Sequence, residues 1–447
     1  VLAAMPALCC FEGLRGPPRG SRESAEVVVI GAGLAGLACA LRLQDRGLRC
    51  VVLEATTRVG GRAGRGGADF VHGQHVATWR YAERYGMKGN GALNGWGSLD
   101  SGGSECWVWS DGKLRGPAEI FAPNSHCNVP AFFEAIESRA EEQAASSLAD
   151  TSLQELAKAC FPEEPTAEEM RLMQMAQAEW NAADLGDTGL GDFDTESVLT
   201  QQLAKSEPHL LTEDGDEGHW RLLGGHSGLA QKMAEGMDIR FNHVVKAVKW
   251  GEEGCEIRCQ TGLVVSAKVA VITVPLACIP DVRFSPKLPE AKLDAVKRLG
   301  RGITTTVYLR FSERIWPEKM GFLFHSMSSQ CFWPGIGSNV LTVYFGGKTA
   351  NKQLLCLSDA AMVAEILRQV GIIFSIPPED LRKLCVGTEV RRWDNDPFAK
   401  MAYSYSPVGA RNLRHALRAT CGRLIWAGEA THPTKGSFAH GALEEGE

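Results

Sequence analysis

Apolar residues near the start of the chain alternate between short continuous runs and helical spacing. Val27 to Ile30 form a β-branched run, which is typical of a buried parallel strand. The apolar residues from Leu34 to Leu43 recur at helical spacing, and Gly47 can end that helix. Val51 to Leu53 give a second short run. This order predicts a βαβ unit with parallel strands, as in a doubly wound α/β domain.

The middle of the chain has other periodicities. Residues 130–183 and 358–374 carry apolar side chains at helical spacing, whereas TTTVYLRF, MGFLFH and NVLTVYFGG, within 302–350, read as strands. The pattern predicts an α+β region of helices over an antiparallel sheet. An acidic, glycine-rich loop lies within it and contains Asp184, Asp187, Asp192 and Asp194. These acids either steer a cationic molecule or are simply solvated.

The turn between the first strand and its helix contains three glycines. Gly31, Gly33 and Gly36 have the spacing GxGxxG, and Glu54 ends the second strand. In a dinucleotide site the first glycine allows a tight turn, the second admits a pyrophosphate and the third lets helix and strand pack closely. The helix start offers N–H groups to phosphates, and the acid can bind a ribose. The sequence therefore predicts a dinucleotide site.

An arginine-rich loop with two adjacent glycines follows the acid. Arg58, Gly60, Gly61 and Arg62 lie in RVGGRAGRGG. A loop of this kind is not needed to bind NAD. Glycines allow the backbone to pass close to a second phosphate or a flavin, and arginines supply charge-assisted hydrogen bonds. The loop therefore favours FAD over NAD, although a solvated basic loop is the alternative.

A second cofactor-facing turn is predicted near the carboxyl end. Residues 424–427 read as a strand, and Gly428 and Glu429 follow it directly. A glycine and an acid at the end of a parallel strand are typical of the ligand-binding edge of such a sheet.

These stretches, with GADFVHG and AGEAT…HGA, resemble the flavin-containing amine oxidase family, which includes monoamine oxidases, polyamine oxidases and flavin-type histone demethylases. GADFVHG most resembles the polyamine oxidase-like branches. The resemblance implies a discontinuous, Rossmann-like FAD-binding domain and an inserted α+β substrate-binding domain. We expect residues 25–115, 205–285 and 386–447 in the first and 116–204 and 286–385 in the second, after a leader or disordered segment of residues 1–24.

The resemblance also implies roles at the substrate side of the flavin. Tyr403 and Phe438 take the places of two aromatic rings that enclose the amine. His72 matches a histidine near the substrate entrance of intracellular polyamine oxidases, or else caps a turn. Thr306 stands where the family has a lysine that holds a water against the flavin, so we expect slow reaction with dioxygen.

Further residues are implied at the cofactor. Val245, in IRFNHVVKAV, matches a strand that passes the adenine, and its contact is expected from the backbone. Glu429 is expected to hydrogen-bond the ribityl or pyrophosphate region, with Thr431 nearby. Trp393 is expected as a structural anchor beside the flavin. Ala402 occupies the place of the cysteine that links flavin covalently in monoamine oxidases, so non-covalent FAD is expected.

Composition and charge restrict the ligands, metal sites and cellular location that we expect. The net charge of −6 argues against general nucleic-acid binding and is compatible with a cationic substrate. The 14 cysteines include no CxxC and suggest no metal site, and no apolar run reaches transmembrane length. Reduced core cysteines favour a cytoplasmic or organellar protein. The chain does not begin with methionine, and its first residues read as a disordered leader or the remnant of a signal segment.

The sequence thus predicts an enzyme, a flavin-dependent amine oxidase that is polyamine oxidase-like, with dioxygen or another electron acceptor. Three alternatives stay open at this point. The first is a desaturase or porphyrinogen-type oxidase on the same scaffold. The second is an FAD-binding protein with little turnover. The third is a demethylase within a chromatin complex, against which the lack of a long helical insertion argues.

Overall fold

The structure of the protein is a computed structural model. It describes residues 21–64, 66–73, 76–93, 105–120, 138, 150–159, 165–190, 219–335, 337–348, 352–410 and 412–447. Residues 1–20, which contain most of the expected leader, lie outside this part of the chain, as do Asp192 and Asp194 of the acidic loop.

The strands of the described residues are, in chain order, β1 Arg22–Ile30, β2 Cys50–Leu53, β3 Val71–His72, β4 Gly89–Leu93, β5 Glu105–Ser110, β6 Lys113–Arg115, β7 His219–Leu222, β8 Ile239–Arg240, β9 Val245–Trp250, β10 Cys255–Cys259, β11 Val264–Ile272, β12 Arg283–Ser285, β13 Gly300–Arg301, β14 Thr304–Phe311, β15 Met320–His325, β16 Cys331–Pro334, β17 Val340–Gly346, β18 Cys385–Arg392, β19 Ser404–Tyr405 and β20 Leu424–Trp426.

The α-helices are α1 Leu34–Asp45, α2 Ala77–Arg84, α3 Pro117–Ile120, α4 Leu153–Ala159, α5 Ala167–Asn181, α6 Gly225–Met233, α7 Glu290–Arg298, α8 Lys352–Leu355, α9 Asp359–Phe374, α10 Pro378–Leu384, α11 Leu413–Arg418 and α12 Ala439–Gly446. Short 3₁₀ turns span Gly61–Ala63, Leu276–Asp281 and Glu429–Thr431.

The first sheet has the order β12-β9-β10-β11-β1-β2-β8, with β20 beside β11. Strands β20, β11, β1, β2 and β8 run parallel. Val28 and Ile30 of β1 pack on one face and Val29 on the other, so helices cover both sides. The predicted fold class, a doubly wound α/β domain, is confirmed. IRFNHVVKAV is not one strand, because a turn with φ +59° at Asn242 separates β8 from β9.

The second sheet has the order β18-β14-β17-β16-β15-β5-β6 and is antiparallel except at β15–β5. The predicted amphipathic helix is α9, whose apolar side contributes Met362, Ile366 and Val370 to the core under this sheet. Ser358 caps its start by accepting a hydrogen bond from the Ala361 N–H at 3.3 Å.

Strand pairing divides the chain slightly differently from the expected domain boundaries. β5 and β6 lie before residue 116 and β18 begins at Cys385, yet all three pair in the second sheet. β1 begins at Arg22, inside the expected leader, because Arg22 pairs with Val264. The boundaries themselves stay a prediction.

Hydropathy along the helices gives one further finding. Within the described residues, no single helix is both long and apolar enough to cross a membrane. α9 and α10 would pass such a test together, but they are bent by 111° at their junction.

Candidate active site

A cavity of about 720 Å³ lies where the two sheets meet. This volume is within the range of ~300–1,000 Å³ that is usual for small-molecule sites. Two parts of its wall differ in character. The first, which we call the glycine end, contains Gly31, Gly33, Glu54, Gly60, Gly61 and Arg62. The second, which we call the aromatic end, contains Phe70, Tyr308, Trp333, Tyr344, Tyr403 and Phe438.

The three-glycine turn carries β1 into α1 at the glycine end. Gly31 has φ +110°, which glycine adopts most readily. A Cβ on Gly36 would lie 1.9 Å from the Gly31 carbonyl oxygen, so Gly36 allows α1 to pack on the turn. A Cβ on Gly33 would meet no described atom within 4 Å and would extend into the cavity. The Gly33 backbone and the start of α1, at Leu34, therefore face the space where a phosphate would bind.

The second glycine pair folds onto the first turn. Gly60 and Gly61 have φ of +92° and +51°. The Gly60 N–H donates to the Ala32 carbonyl at 2.8 Å, and Gly60 forms a β-bridge with Gly33. Arg58 Nη1 donates to the Gly61 carbonyl at 2.9 Å and so holds this loop closed. The two motifs form one continuous backbone surface along the cavity.

Glu54 is buried at the carboxyl end of β2. Its Oε2 accepts the Ala32 N–H at 2.8 Å, and Oε1 accepts the N–H and hydroxyl of Thr56 at 2.8 and 2.7 Å. These bonds fix the carboxylate against the cavity wall. Oε2 keeps a further lone pair, which a ribose hydroxyl could use.

Glu429 is also buried, but its carboxylate is enclosed by protein groups. Oε1 accepts Arg62 Nη1 at 2.7 Å. Oε2 accepts the Ser404 hydroxyl at 2.6 Å and the N–H groups of Ser404 and Ser437 at 3.2 and 3.1 Å. Arg414 donates to the Ser404 hydroxyl at 2.7 Å. Glu429 thus holds Arg62 in the wall of the cavity.

The electrostatics of this network favour the ionised acid. Burial would raise the pKa of Glu429, but the charges of Arg62 and Arg414 and the hydrogen bond from Ser404 outweigh it. The pKa is therefore held below its ordinary value of 4.5.

Val245 lies at the far side of the glycine end. It is the first residue of β9, and Val244, Lys246 and Gln260 line the cavity beside it. The Val244 carbonyl accepts the Gln260 N–H at 2.7 Å, which joins the start of β9 to the chain beyond β10.

Three further residues expected at the cofactor differ in their position relative to the cavity. Gly428 lines the cavity with φ +142°, and a Cβ there would meet no described atom within 4 Å. Trp393 lines it too, with its indole N–H donating to the Gly66 carbonyl at 3.1 Å. Thr431 lies behind the wall, where its hydroxyl oxygen is 2.8 Å from the Gly428 carbonyl oxygen and 3.0 Å from Glu445 Oε2 and can donate its one proton to either. Its effect on a ligand would be indirect.

A connected set of rings forms the aromatic end. The hydroxyls of Tyr403 and Tyr344 are 2.6 Å apart and share a hydrogen bond. The Tyr344 ring lies 5.4 Å from that of Trp333, which in turn lies 5.2 Å from Phe70 in an edge contact. Such geometries stabilise aromatic pairs. Tyr403 is thereby held by neighbours that come from β16, β17 and the segment before β3.

Phe438 contacts two imidazoles. His72, from β3, lies 5.2 Å away in an edge contact, and His440 stacks at 5.0 Å with an interplanar angle of 14°. Burial lowers the pKa of His440 to about 4, so this imidazole is neutral at physiological pH. His72 lines the cavity beside Phe438. The structure thus brings the two predicted cage residues, Tyr403 and Phe438, to the same cavity.

Thr306 lines the same cavity from the middle of β14. It pairs with Tyr344 of β17 on one side and Arg391 of β18 on the other. Thr304 and Tyr308 lie two residues away on the same face, because successive strand residues alternate between faces. The predicted threonine therefore stands beside the aromatic end.

Some functional candidates were not found by sequence reasoning. Tyr344, Trp333 and Tyr308 belong to apolar strand patterns that equally suit a core, and no local signal marks them. Asp184 and Asp187, which the sequence suggested for steering a substrate, do not contribute to the described wall of the cavity.

The donor set of the cavity fits a flavin dinucleotide. Gly33 and Gly428 present bare backbone to it, Arg58 and Arg62 add positive charge, and Glu54 offers an acceptor. These groups suit a pyrophosphate and a ribose.

Comparisons with known proteins found similar sequences and structures. Residues 34–447 match the model of a family described as flavin containing amine oxidoreductase. The chain is 26% identical to polyamine oxidase 2 of Arabidopsis thaliana, over 95% of this chain and 87% of that protein. It is 27% identical to lysine-specific histone demethylase 1 homolog 3 of Oryza sativa subsp. japonica, over 96% of this chain and 54% of that protein. The chain thus spans about half the length of its histone demethylase relatives.

Solved structures also share the fold. Putrescine oxidase, in its wild-type form bound to putrescine, gives a TM-score of 0.78 at 19% identity and covers 95% of this chain and 98% of that one. Cyclohexylamine oxidase from Brevibacterium oxydans IH-35A gives 0.76 at 19% identity, with 94% and 97% covered. At these identities the likeness concerns the fold alone.

Proposed function

The chain belongs to the flavin containing amine oxidoreductase family, and from that premise we propose that it binds FAD non-covalently and oxidises the C–N bond of a polyamine or monoamine to an imine. The observation that carries this proposal is the single cavity that joins a glycine end suited to a dinucleotide with an aromatic end suited to an amine.

The residues of the glycine end would hold FAD. Gly33 and the start of α1 would receive the pyrophosphate, Glu54 a ribose, and the backbone at Val245 the adenine region. Arg62, fixed by Glu429, would add positive charge near the phosphates or the flavin. Ala402 offers no nucleophile for a covalent link. When bound, FAD supplies a two-electron acceptor for hydride equivalents.

The residues of the aromatic end would position the amine. Tyr403 and Phe438 present ring faces that accept apolar and cationic groups, and the Tyr344 hydroxyl fixes the orientation of Tyr403. His72 stands beside Phe438 and could hydrogen-bond a second amine group. The bound amine would lose a hydride equivalent from its α-carbon and a proton from nitrogen. Water would then hydrolyse the imine to an aldehyde or ketone, releasing ammonia from a primary amine or a shorter amine from a secondary one.

The electron acceptor depends on the surroundings of Thr306. A hydroxyl can hold a water but brings no positive charge, and a fixed cation stabilises negative charge that develops on oxygen. We therefore propose that dioxygen takes the electrons slowly, giving hydrogen peroxide, or that another acceptor is used.

Demethylation of a methylated lysine is a second candidate, because several curated relatives are lysine-specific histone demethylases. It uses the same C–N oxidation on a larger substrate. A methyl-lysine histone peptide would be oxidised in preference to free amines if this candidate is right.

One experiment tests these possibilities together. The purified protein is expected to be yellow, with tightly bound FAD and no affinity for NAD. Flavin reduction would be followed anaerobically with free amines and methyl-lysine peptides, and peroxide release would be measured in air. A folded protein that does not take up FAD would refute the proposal. Bound FAD that no amine or peptide reduces would leave only the binding role or a desaturase-type reaction.

A further inference from the structure

One carboxylate at the aromatic end is not among the residues that we assign to the cofactor. Asp69 directly precedes Phe70 and lines the cavity. Its side chain is 42% exposed. Carboxylates among aromatic rings provide the charge complement of an ammonium group, while the rings accept its methylene chain.

The two oxygens of Asp69 differ in their partners. Oδ2 accepts the Trp333 indole N–H at 2.9 Å, and the same oxygen lies 3.5 Å from Arg221 Nε. Within the described residues, Oδ1 has no hydrogen-bond partner. The side chain is therefore fixed through one oxygen and leaves the other available.

Arg221 holds Asp69 from the protein side. It is buried, donates from Nη1 to the Pro334 carbonyl at 2.6 Å, and lies 4.6 Å over the Phe70 ring. Its separation from Asp69 exceeds the usual length of a charge-assisted hydrogen bond. Arg221 thus forms an ion pair with Oδ2 of Asp69 and donates no hydrogen bond to Oδ1.

The other described carboxylates of the cavity wall have closer ionic or local partners. Asp281 pairs with Lys400 Nζ at 2.6 Å, and Asp396 with Arg391 Nη2 at 2.9 Å. The two glutamates of the wall have both oxygens bound, as described above. Asp69 is accordingly the acid best placed to bind a cation from the cavity.

A continuous aromatic path connects Asp69 with the reaction site. Trp333 hydrogen-bonds Asp69 and contacts Tyr344, whose hydroxyl meets that of Tyr403. An amine oxidised beside Tyr403 would extend its carbon chain along these rings. We infer that Asp69 binds a second ammonium group, so that the substrate is a diamine or a longer polyamine. This inference rests on the proposed function.

The test compares matched substrates with the FAD-loaded protein. Diamines from 1,4-diaminobutane to 1,8-diaminooctane would be paired with monoamines of equal carbon number, and anaerobic flavin reduction would give both the apparent Kd and the rate. The wild type is expected to prefer one diamine at least tenfold over its monoamine. Asp69→Asn, which retains an oxygen for Trp333, should raise the apparent Kd of that diamine by about ten- to a hundredfold and change the rate of flavin reduction much less. The monoamine should change by less than about threefold.

Two further variants test whether the diamine preference depends on Asp69 itself or on the loss of any negative charge. Asp187→Asn removes the same charge outside the described cavity wall and should leave the diamine preference intact. Asp69→Glu keeps the charge and should retain the preference while shifting the best diamine to a shorter chain.

The inference would be overturned by a wild type that treats diamine and monoamine alike, or by an Asp69→Asn variant that affects both substrates equally or neither. If no amine reduces the flavin at all, the proposed function has failed, which is a separate and recognisable result.

Discussion

The glycine end and the aromatic end of the cavity are built in different ways. The glycine end is formed largely by backbone, and its acids are held by several hydrogen bonds each. The aromatic end is formed by side chains from separate strands and loops, joined by ring contacts and one hydroxyl pair. A change at the glycine end therefore disturbs the fold or the cofactor, whereas a change at the aromatic end should alter the reaction while the fold survives.

The largest expected effect is at the ion pair of the glycine end. Arg62→Met would leave Glu429 buried beside Arg414 alone, and loss of one partner of a buried pair typically costs about 3–5 kcal/mol of unfolding free energy. Arg62 is itself 21% exposed, so we expect the lower part of that range. Urea unfolding would measure it, with Arg22→Met, at a largely exposed pair, as control. Equal stability of both variants would contradict the structural role of Arg62.

Arg62→Met should also change how the unfolding free energy depends on pH. The pKa of Glu429 is held below 4.5, so its contribution to stability is present above that pH and is lost as pH falls through the folded value. Without Arg62 the folded pKa of Glu429 rises, so the loss of unfolding free energy in Arg62→Met relative to the wild type should be greatest near neutral pH and should shrink as pH falls below 4.5. A difference between the two proteins that does not change with pH would argue against the assignment.

The second effect distinguishes two glycines of one turn. Gly36→Ala forces a Cβ to within 1.9 Å of the Gly31 carbonyl oxygen and should cost about 1–3 kcal/mol or more. Gly33→Ala places its Cβ in the cavity and should cost about 1 kcal/mol or less, yet lower FAD affinity at least about tenfold. Thermal unfolding and flavin titration would separate the two. Retained FAD affinity in folded Gly33→Ala would show that the cofactor does not approach this backbone.

The third effect concerns Thr306, which lies beside the aromatic end. Thr306→Lys should speed reoxidation of the reduced flavin by dioxygen about tenfold or more, because it adds a cation near developing negative charge. Stopped-flow mixing with oxygenated buffer would give the rate, with Thr304→Lys as a control on the same strand face. A wild type at least as fast as Thr306→Lys would refute the role of Thr306.

The smallest effect tests the aromatic end. Tyr344→Phe removes the hydroxyl bonded to Tyr403 and should lower kcat/KM for the best amine about two- to tenfold, in line with one neutral hydrogen bond. Tyr308→Phe also loses a cavity hydroxyl but not this bond, so its effect should be less than about twofold. Flavin content and melting temperature should be unchanged in both. Equal losses would indicate that the pairing with Tyr403 has no particular importance.

The sequence by itself determined the βαβ unit, the glycine turns and the fold class. β-branched runs, helical periodicity and glycine positions encode backbone conformation locally, so Gly31 and Gly36 can be assigned from their neighbours alone. The resemblance to a family added Tyr403, Phe438 and Thr306 as candidates, and all three line one cavity. Local patterns were less reliable at β8 and β9, where an apolar run conceals a turn at Asn242.

Only the tertiary structure decided which distant residues meet. Arg62 and Glu429 lie 367 residues apart in sequence, and Asp69 and Trp333 lie 264 apart. Their contacts depend on strand register and on how the two sheets face each other. Because a strand pattern shows which residues are apolar but not which face borders a ligand, Trp333 and Tyr344 are indistinguishable from core residues until the sheets are assembled. The same assembly of the sheets brings Asp69 to Trp333 at the cavity wall, which makes Asp69 a candidate binding group.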